Sequence, residues 1–153
     1  MTTNNVHAIS ASRIIAAPPE RIYSILSDYR EGHPSILPHQ FTSMTVERGG
    51  VGAGTIIQFT MRLWGRTQRF RASVSEPEPG RVLAETYSEP NSAVTSFIVD
   101  PAPVAGQTQV TITTNVPVRG GLVGRIERLL STKLLYPIYV QELELLQKRS
   151  TEV

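Results

Sequence analysis

Among the ionisable residues of this 153-residue chain, Glu85 carries the sharpest chemical implication. It lies two positions from Tyr87 in a stretch that reads as a strand, so the two side chains share one face. A carboxyl that faces an oily interior is costly unless paired, and a group held there is a candidate general acid or base, with the Tyr87 hydroxyl as its neighbouring donor. The turn before it decides its direction. A four-residue Pro77–Gly80 loop sets Leu83 opposite Val74, Glu85 opposite Ala72 and Tyr87 opposite Phe70, on the apolar side, whereas a loop different by one residue turns Glu85 to solvent.

His33 and His39, with Asp28 nearby, are the residue types of a two-histidine and one-carboxylate metal set. Pro34 and Pro38 fall between the histidines and break any shared helical face, so no metal site is expected. His33 is instead placed at a cavity mouth, where its imidazole can hydrogen-bond a ligand. The glycines Gly49, Gly50, Gly52 and Gly54 resemble a nucleotide-binding loop only superficially. Such a loop needs a helix N-terminus after it to hold a phosphate, and here Ile56, Ile57 and Phe59 continue as a strand. No Gly-x-Ser-x-Gly, His-Glu-x-x-His or Ser-x-x-Lys arrangement is present. Arg62, Arg69 and Arg71 fall on one strand face and read as the solvated outside of a sheet rather than an anion site.

The elements that position these groups follow from periodicity. His7–Ala17 favours a strand, and Pro18, Pro19 and Glu20 supply the start of a helix whose Ile22, Ile25, Leu26 and Tyr29 share a face at i, i+3, i+4, i+7. A second short helix or ordered loop follows over Ser35–His39. Strands separated by turn signals then run from Phe41 to about Val118. Gly65 and Arg66 read as a two-residue type II′ turn, which puts Met61 opposite Phe70, Phe59 opposite Ala72 and Ile57 opposite Val74. Phe97, Val99, Val110 and Ile112 are the inward residues of two later strands. From Gly121 to about Arg149 a helical period returns through Leu122, Ile126, Leu129, Leu130, Leu134 and Ile138. This helix is ~43 Å long and contains Pro137.

Bulk composition bounds the function. The chain, residues 1–153, reads as one domain with a disordered N-terminus over Met1–Asn5. It has no cysteine, so no disulfide framework or thiolate site can form. Lys and Arg number 15 against 13 Asp and Glu, a net charge of +2 without long runs of either sign, which gives no case for nucleic acid binding. No stretch approaches the ~20 apolar residues of a membrane span, and no signal peptide pattern opens the chain. A cytoplasmic protein without integral membrane association is expected, with a homodimer left open.

The run Ile15-Ala16-Ala17-Pro18-Pro19-Glu20-Arg21-Ile22-Tyr23, followed by Leu26 and Asp28, resembles the opening of the START-like (SRPBCC) superfamily. This group includes polyketide cyclases, lipid-transfer domains and the birch-pollen-allergen family. Gly52, Gly54 and Thr55, then Pro79, Gly80 and Arg81, and the helix with Tyr139, Glu142, Leu143 and Leu146 are similar to the same group. The resemblance implies an α+β helix-grip fold, a curved antiparallel sheet of six or seven strands wrapped around the long C-terminal helix, with a hydrophobic cavity between them. It implies a bound lipid, polyketide or aromatic compound, and no cofactor is expected. The expected lining is Tyr29, His33, Phe59, Met61, Phe70 and Tyr87, with Phe97, Ile112, Leu130 and Leu134. Reversible binding of a small hydrophobic or amphipathic molecule is the main expectation. Two others stand beside it: a cyclase or dehydratase using Glu85 in the same cavity, and a protein- or membrane-interaction domain.

Overall fold

The alternating strands assemble into one seven-stranded antiparallel sheet in the computed structural model of the chain, which describes residues 5–152. The strands are β1 (Asn5–Ile15), β2 (Phe41–Arg48), β3 (Ile56–Leu63), β4 (Arg66–Glu78), β5 (Val82–Glu89), β6 (Val94–Pro101) and β7 (Thr108–Val118). Their order is β1-β7-β6-β5-β4-β3-β2. Helix α1 (Pro19–Ser27) and a 3-10 turn at Pro34–Ile36 connect β1 to β2, and helix α2 (Gly121–Thr151) follows β7. This is the helix-grip arrangement, a curved sheet around a long C-terminal helix. Of the run Met1–Asn5, only Asn5 falls within the described residues, and it opens β1 opposite Val118.

Pro18 and Pro19 begin α1 because a proline at the first helical positions sacrifices no hydrogen bond. Ile22 and Leu26 on its inner face are fully buried. The core continues through Ile57, Leu83, Val110, Ile112 and Leu146.

Two strand registers differ from expectation by two residues each. In the β3–β4 hairpin, Phe59 pairs with Phe70, Ile57 with Ala72 and Leu63 with Arg66, so the turn residues are Trp64 and Gly65. Both have positive φ, 49° and 77°, as a type I′ turn requires. Between β4 and β5, Val74 pairs with Glu85 and Ala72 with Tyr87. The connection is Pro79–Arg81 rather than Pro77–Gly80, with the Arg81 N–H donating to the Glu78 carbonyl (2.9 Å) and a bulge between Ser75 and Glu78 taking up the odd residue. A shift of two leaves every side chain on its face.

The phase of α2 is where the sequence reading fails. An i, i+4 ladder rotates by ~40° at each step, so Leu122, Ile126, Leu130, Leu134 and Ile138 wind around the helix instead of sharing a face. Ile138 is buried, with Tyr139, Glu142, Leu143 and Leu146 beyond it, whereas Leu122 and Leu129 are about as exposed as surface residues, at 72% and 69%. Only the second half of α2 contributes large side chains to the core.

Candidate functional site

The inner wall of the site begins at the end of α1. Asp28 accepts hydrogen bonds from the backbone N–H groups of Arg30 (3.0 Å), Glu31 (3.3 Å) and Gly32 (3.3 Å), which turns the chain sharply. Burial pushes the Asp28 carboxyl up, but these donors and the Arg30 charge outweigh it and hold the group below its usual range. The glycine loop latches onto the same turn: the Tyr29 N–H donates to Gly50 O (2.8 Å), and the Gly52 N–H to Ser27 O (2.9 Å). A β-carbon at Gly50 would collide with the Arg30 guanidinium, and one at Gly52 would sit 2.7 Å from Glu76 Oε2. The loop thus uses its glycines for close approach, and it fixes Tyr29 and His33 under the sheet.

Tyr29 stacks on His33 at a centroid distance of 4.6 Å, and Phe97 meets the other side of the imidazole edge-on at 5.2 Å. His33 Nδ1 lies 2.7 Å from the Leu26 carbonyl. A carbonyl only accepts, so Nδ1 carries a proton and Nε2 is the nitrogen presented inward. Nε2 stands 3.7 Å from Glu85 Oε1 and 3.8 Å from Glu142 Oε1.

Glu85 is 4% exposed and faces the interior. Tyr29 donates to its Oε1 (2.8 Å) and Tyr87 to its Oε2 (3.0 Å), so each carboxylate oxygen has one phenol donor. Burial, and then the Glu85 charge, push both phenols well above their ordinary value, which keeps the donors protonated. Glu142 is equally buried, and among the described residues its carboxyl makes no hydrogen bond. Burial first, then the Glu85 charge, push it well above the usual carboxylate range, which favours its protonated form. A row of hydroxyls continues the polar wall: Thr95 bonds Thr114 (2.7 Å), and Thr114 bonds Tyr139, whose phenol burial pushes up to about 12.

These groups border a cavity of about 110 Å³ between the sheet and α2. Phe59, Met61, Phe70, Tyr87 and Phe97 line it from the sheet, together with His33 and Glu85. Phe59 and Phe70 stack at 4.9 Å, and Tyr87 packs edge-on against both. Four expected lining residues lie elsewhere. Tyr29 sits behind the wall and acts on the site through its bond to Glu85 and its stack on His33. Ile112 is buried in the core below the cavity rather than at its surface. Leu130 is 44% exposed and Leu134 half-buried off the cavity, because the helical ladder drawn through them rotates away.

Leu135, Tyr139 and Glu142 take their place on α2, with Phe41, Met44 and Leu37 closing the other side. The spacing Leu135, Tyr139, Glu142, Leu146 is i, i+4, i+7, i+11, a single helical face. Glu142 on that face was the missed signal: one acid inside an otherwise apolar stripe. His39 is exposed, and the described residues contain no group of three ligands placed to hold a metal ion. Arg62 and Arg69 are exposed on the outer face, where the half-buried Arg71 bonds Glu47 (3.0 Å). No described helix is long and apolar enough to cross a membrane.

The profile of a family described as polyketide cyclase / dehydrase and lipid transport matches residues 6–151. Among solved structures, the KanY protein is similar with a TM-score of 0.82 at 25% identity, covering 97% of this chain and 99% of that one. The Zhui aromatase/cyclase from Streptomyces sp. R1128 has a TM-score of 0.77 at 16% identity, with 95% and 94% covered. A START superfamily protein from Mycobacterium smegmatis has 0.74 at 19%, with 94% and 97% covered. The latter two share the fold. No curated protein matches the chain.

Proposed function

This chain belongs to the polyketide cyclase / dehydrase and lipid transport family, and on that premise we propose that it binds a small, ring-bearing, mostly apolar molecule with one hydroxyl or carbonyl group. The observation that carries this reading is the division of the cavity surface. Phe41, Met44, Phe59, Met61, Phe70 and Leu135 make an apolar belt, while Glu85, Glu142, His33 and Thr95 are gathered on one polar wall. Sites of this kind hold a ligand by its apolar body and orient it by a few polar groups. Glu142, pushed toward its protonated form, is the donor for a ligand carbonyl, and the Glu85 oxygens, which already accept from two phenols, are the acceptor for a hydroxyl. A volume of about 110 Å³ is below the ~300 Å³ of typical small-molecule pockets, so a ligand larger than about one ring requires the half-buried Phe41, Met44 and Leu135 to swing outward.

A second reading, acid–base catalysis of a cyclisation or dehydration, is favoured by one observation. Two buried carboxyl groups, of which Glu142 is pushed toward its protonated form, flank the same imidazole nitrogen at 3.8 and 3.7 Å. Removal of a proton next to a carbonyl and loss of a hydroxyl as water need a base and an acid side by side.

Native mass spectrometry of the purified chain, before and after organic extraction, tests the binding reading. A mass shift that disappears on extraction supports it, and failure of any apolar aromatic probe to bind the extracted protein would count against it. Glu85→Gln separates the two readings. A catalyst loses turnover by about a hundredfold or more while keeping affinity, whereas a carrier has no turnover to lose.

A further inference from the structure

The outward face of α2 carries a feature that the cavity does not use. Leu122, Ile126, Leu129 and Leu130 are 72%, 50%, 69% and 44% exposed, with Val123 beside them at 47%. At ~100° per residue they fall within one stripe about 120° wide. The opposite side of the same turns holds Gly124, Ser131 and Thr132, whose hydroxyl lies 2.7 Å from His7 Nε2 in β1. The first half of α2 is therefore apolar outward and small or polar inward, the reverse of a core helix.

The charges around the stripe are one-sided. Glu127 is bound to Arg119 (2.6 Å), which leaves Arg125, Arg128 and Lys133 in no ion pair among the described residues. The strand registers place a second apolar side chain at the same end of the sheet. Arg71 pairs with Glu89, Thr86 with Val94 and Val94 with Asn115, so the Trp64 turn and the end of β7, where α2 begins, share one rim. Trp64 is 67% exposed there, two positions before Arg66. Asn91, in the β5–β6 connection of the same rim, is exposed and borders the cavity.

We propose that this rim, the outward stripe of α2 together with Trp64, docks on an anionic lipid bilayer surface. An apolar helical stripe with unpaired Arg125 at its edge and unpaired Lys133 at its end, and an indole on the same rim of the sheet, is the composition of an interfacial helix. Anionic headgroups complement Arg125 and Lys133, whereas a second copy of the chain would set these same cations against each other. Docking there presents the cavity rim to the phase in which apolar ligands dissolve, and it stands independently of what the cavity holds.

Trp64 is the chain's single tryptophan and so reports directly on this contact. The full chain is mixed with vesicles of phosphatidylcholine alone or with phosphatidylglycerol, then followed by sedimentation and by tryptophan emission. The expected result is partition into the anionic vesicles only, a blue shift of Trp64 emission, and release as salt is raised. The pairs Ile126→Glu with Leu129→Glu, and Arg125→Glu with Lys133→Glu, each weaken partition by about tenfold or more, with unchanged circular dichroism because these side chains are exposed. Binding of an aromatic probe in vesicle-free solution remains as in the wild type, which separates this surface from the cavity. Absence of partition into anionic vesicles overturns the proposal, as does partition unchanged in both double variants. A solution dimer that Leu129→Glu splits also overturns it, by assigning the stripe to contact between copies.

Discussion

Glu142, Glu85 and His33 meet inside a largely apolar shell, and the energetic consequence is a pH dependence whose sign can be worked out. The folded pKa of Glu142 lies above its unfolded value, because burial and the Glu85 charge both disfavour its ionised form. The stability associated with the neutral carboxyl is complete below the ordinary carboxylate range, and it is lost as pH rises toward the raised folded value. Glu142→Gln removes that loss. The variant is expected to be more stable than wild type by on the order of 1–3 kcal/mol at about pH 8 and nearly equal at about pH 4, as read by urea unfolding at both. Asp28 and Glu76 act with the opposite sign. Both are held below the ordinary range, Asp28 by backbone N–H groups and Glu76 by Tyr23 and the Ala53 N–H, so their contribution vanishes as pH falls through their depressed values. Removing a donor from the other carboxylate is costly at neutral pH: Tyr29→Phe leaves Glu85 Oε1 without its phenol and should destabilise by about 1–3 kcal/mol in the same measurement.

At the scale of elements, α2 performs two tasks with two faces that change over near Pro137. Beyond that residue, Leu143 and Leu146 fill the core; before it, Leu135 borders the cavity while Leu122, Ile126 and Leu129 point outward. Paired truncations separate these roles. Leu146→Ala is expected to cost about 2–5 kcal/mol as a cavity in close-packed surroundings, and Leu130→Ala to stay within about 0.5 kcal/mol, both by chemical denaturation. Equal losses at the two positions would contradict the observed helical phase. The glycine loop is the other element with a positional task. Gly50→Ala forces the Arg30 side chain away at a backbone angle of φ 148° and should destabilise the chain by about 1–3 kcal/mol, disturbing the turn that carries Tyr29 and His33.

For the whole molecule, the sheet and α2 leave a gap that a ligand can convert into stability. Any molecule bound only by the folded form at one hundred times its Kd adds about 2.7 kcal/mol, so a panel of aromatic compounds can be ranked by thermal shift. Leu135→Trp offers a control, because it places a larger ring at the half-buried edge of the cavity. It is expected to abolish the shift for every compound while the protein stays folded, and a retained shift would place the ligand outside this gap.

Much of this was written in local pattern. Alternation fixed which faces of β3, β4, β5, β6 and β7 turn inward, and that is a property of period two alone, so Glu85, Phe59, Phe70, Tyr87 and Phe97 reached the interior even though two registers slid by a pair of residues. Pro18 and Pro19 likewise marked the start of α1. The face of α2 was not legible in this way, because the contrast in its first half is reversed: leucines point to solvent there while Gly124 is buried and Thr132 meets β1 through His7. Residues distant in the chain, Tyr29, His33, Glu85, Thr114 and Glu142, became one wall only through folding. Sequence spacing determines direction within an element, whereas the meeting of elements depends on turn geometry and on which stripe of a long helix the sheet accepts, and those are settled by packing in three dimensions.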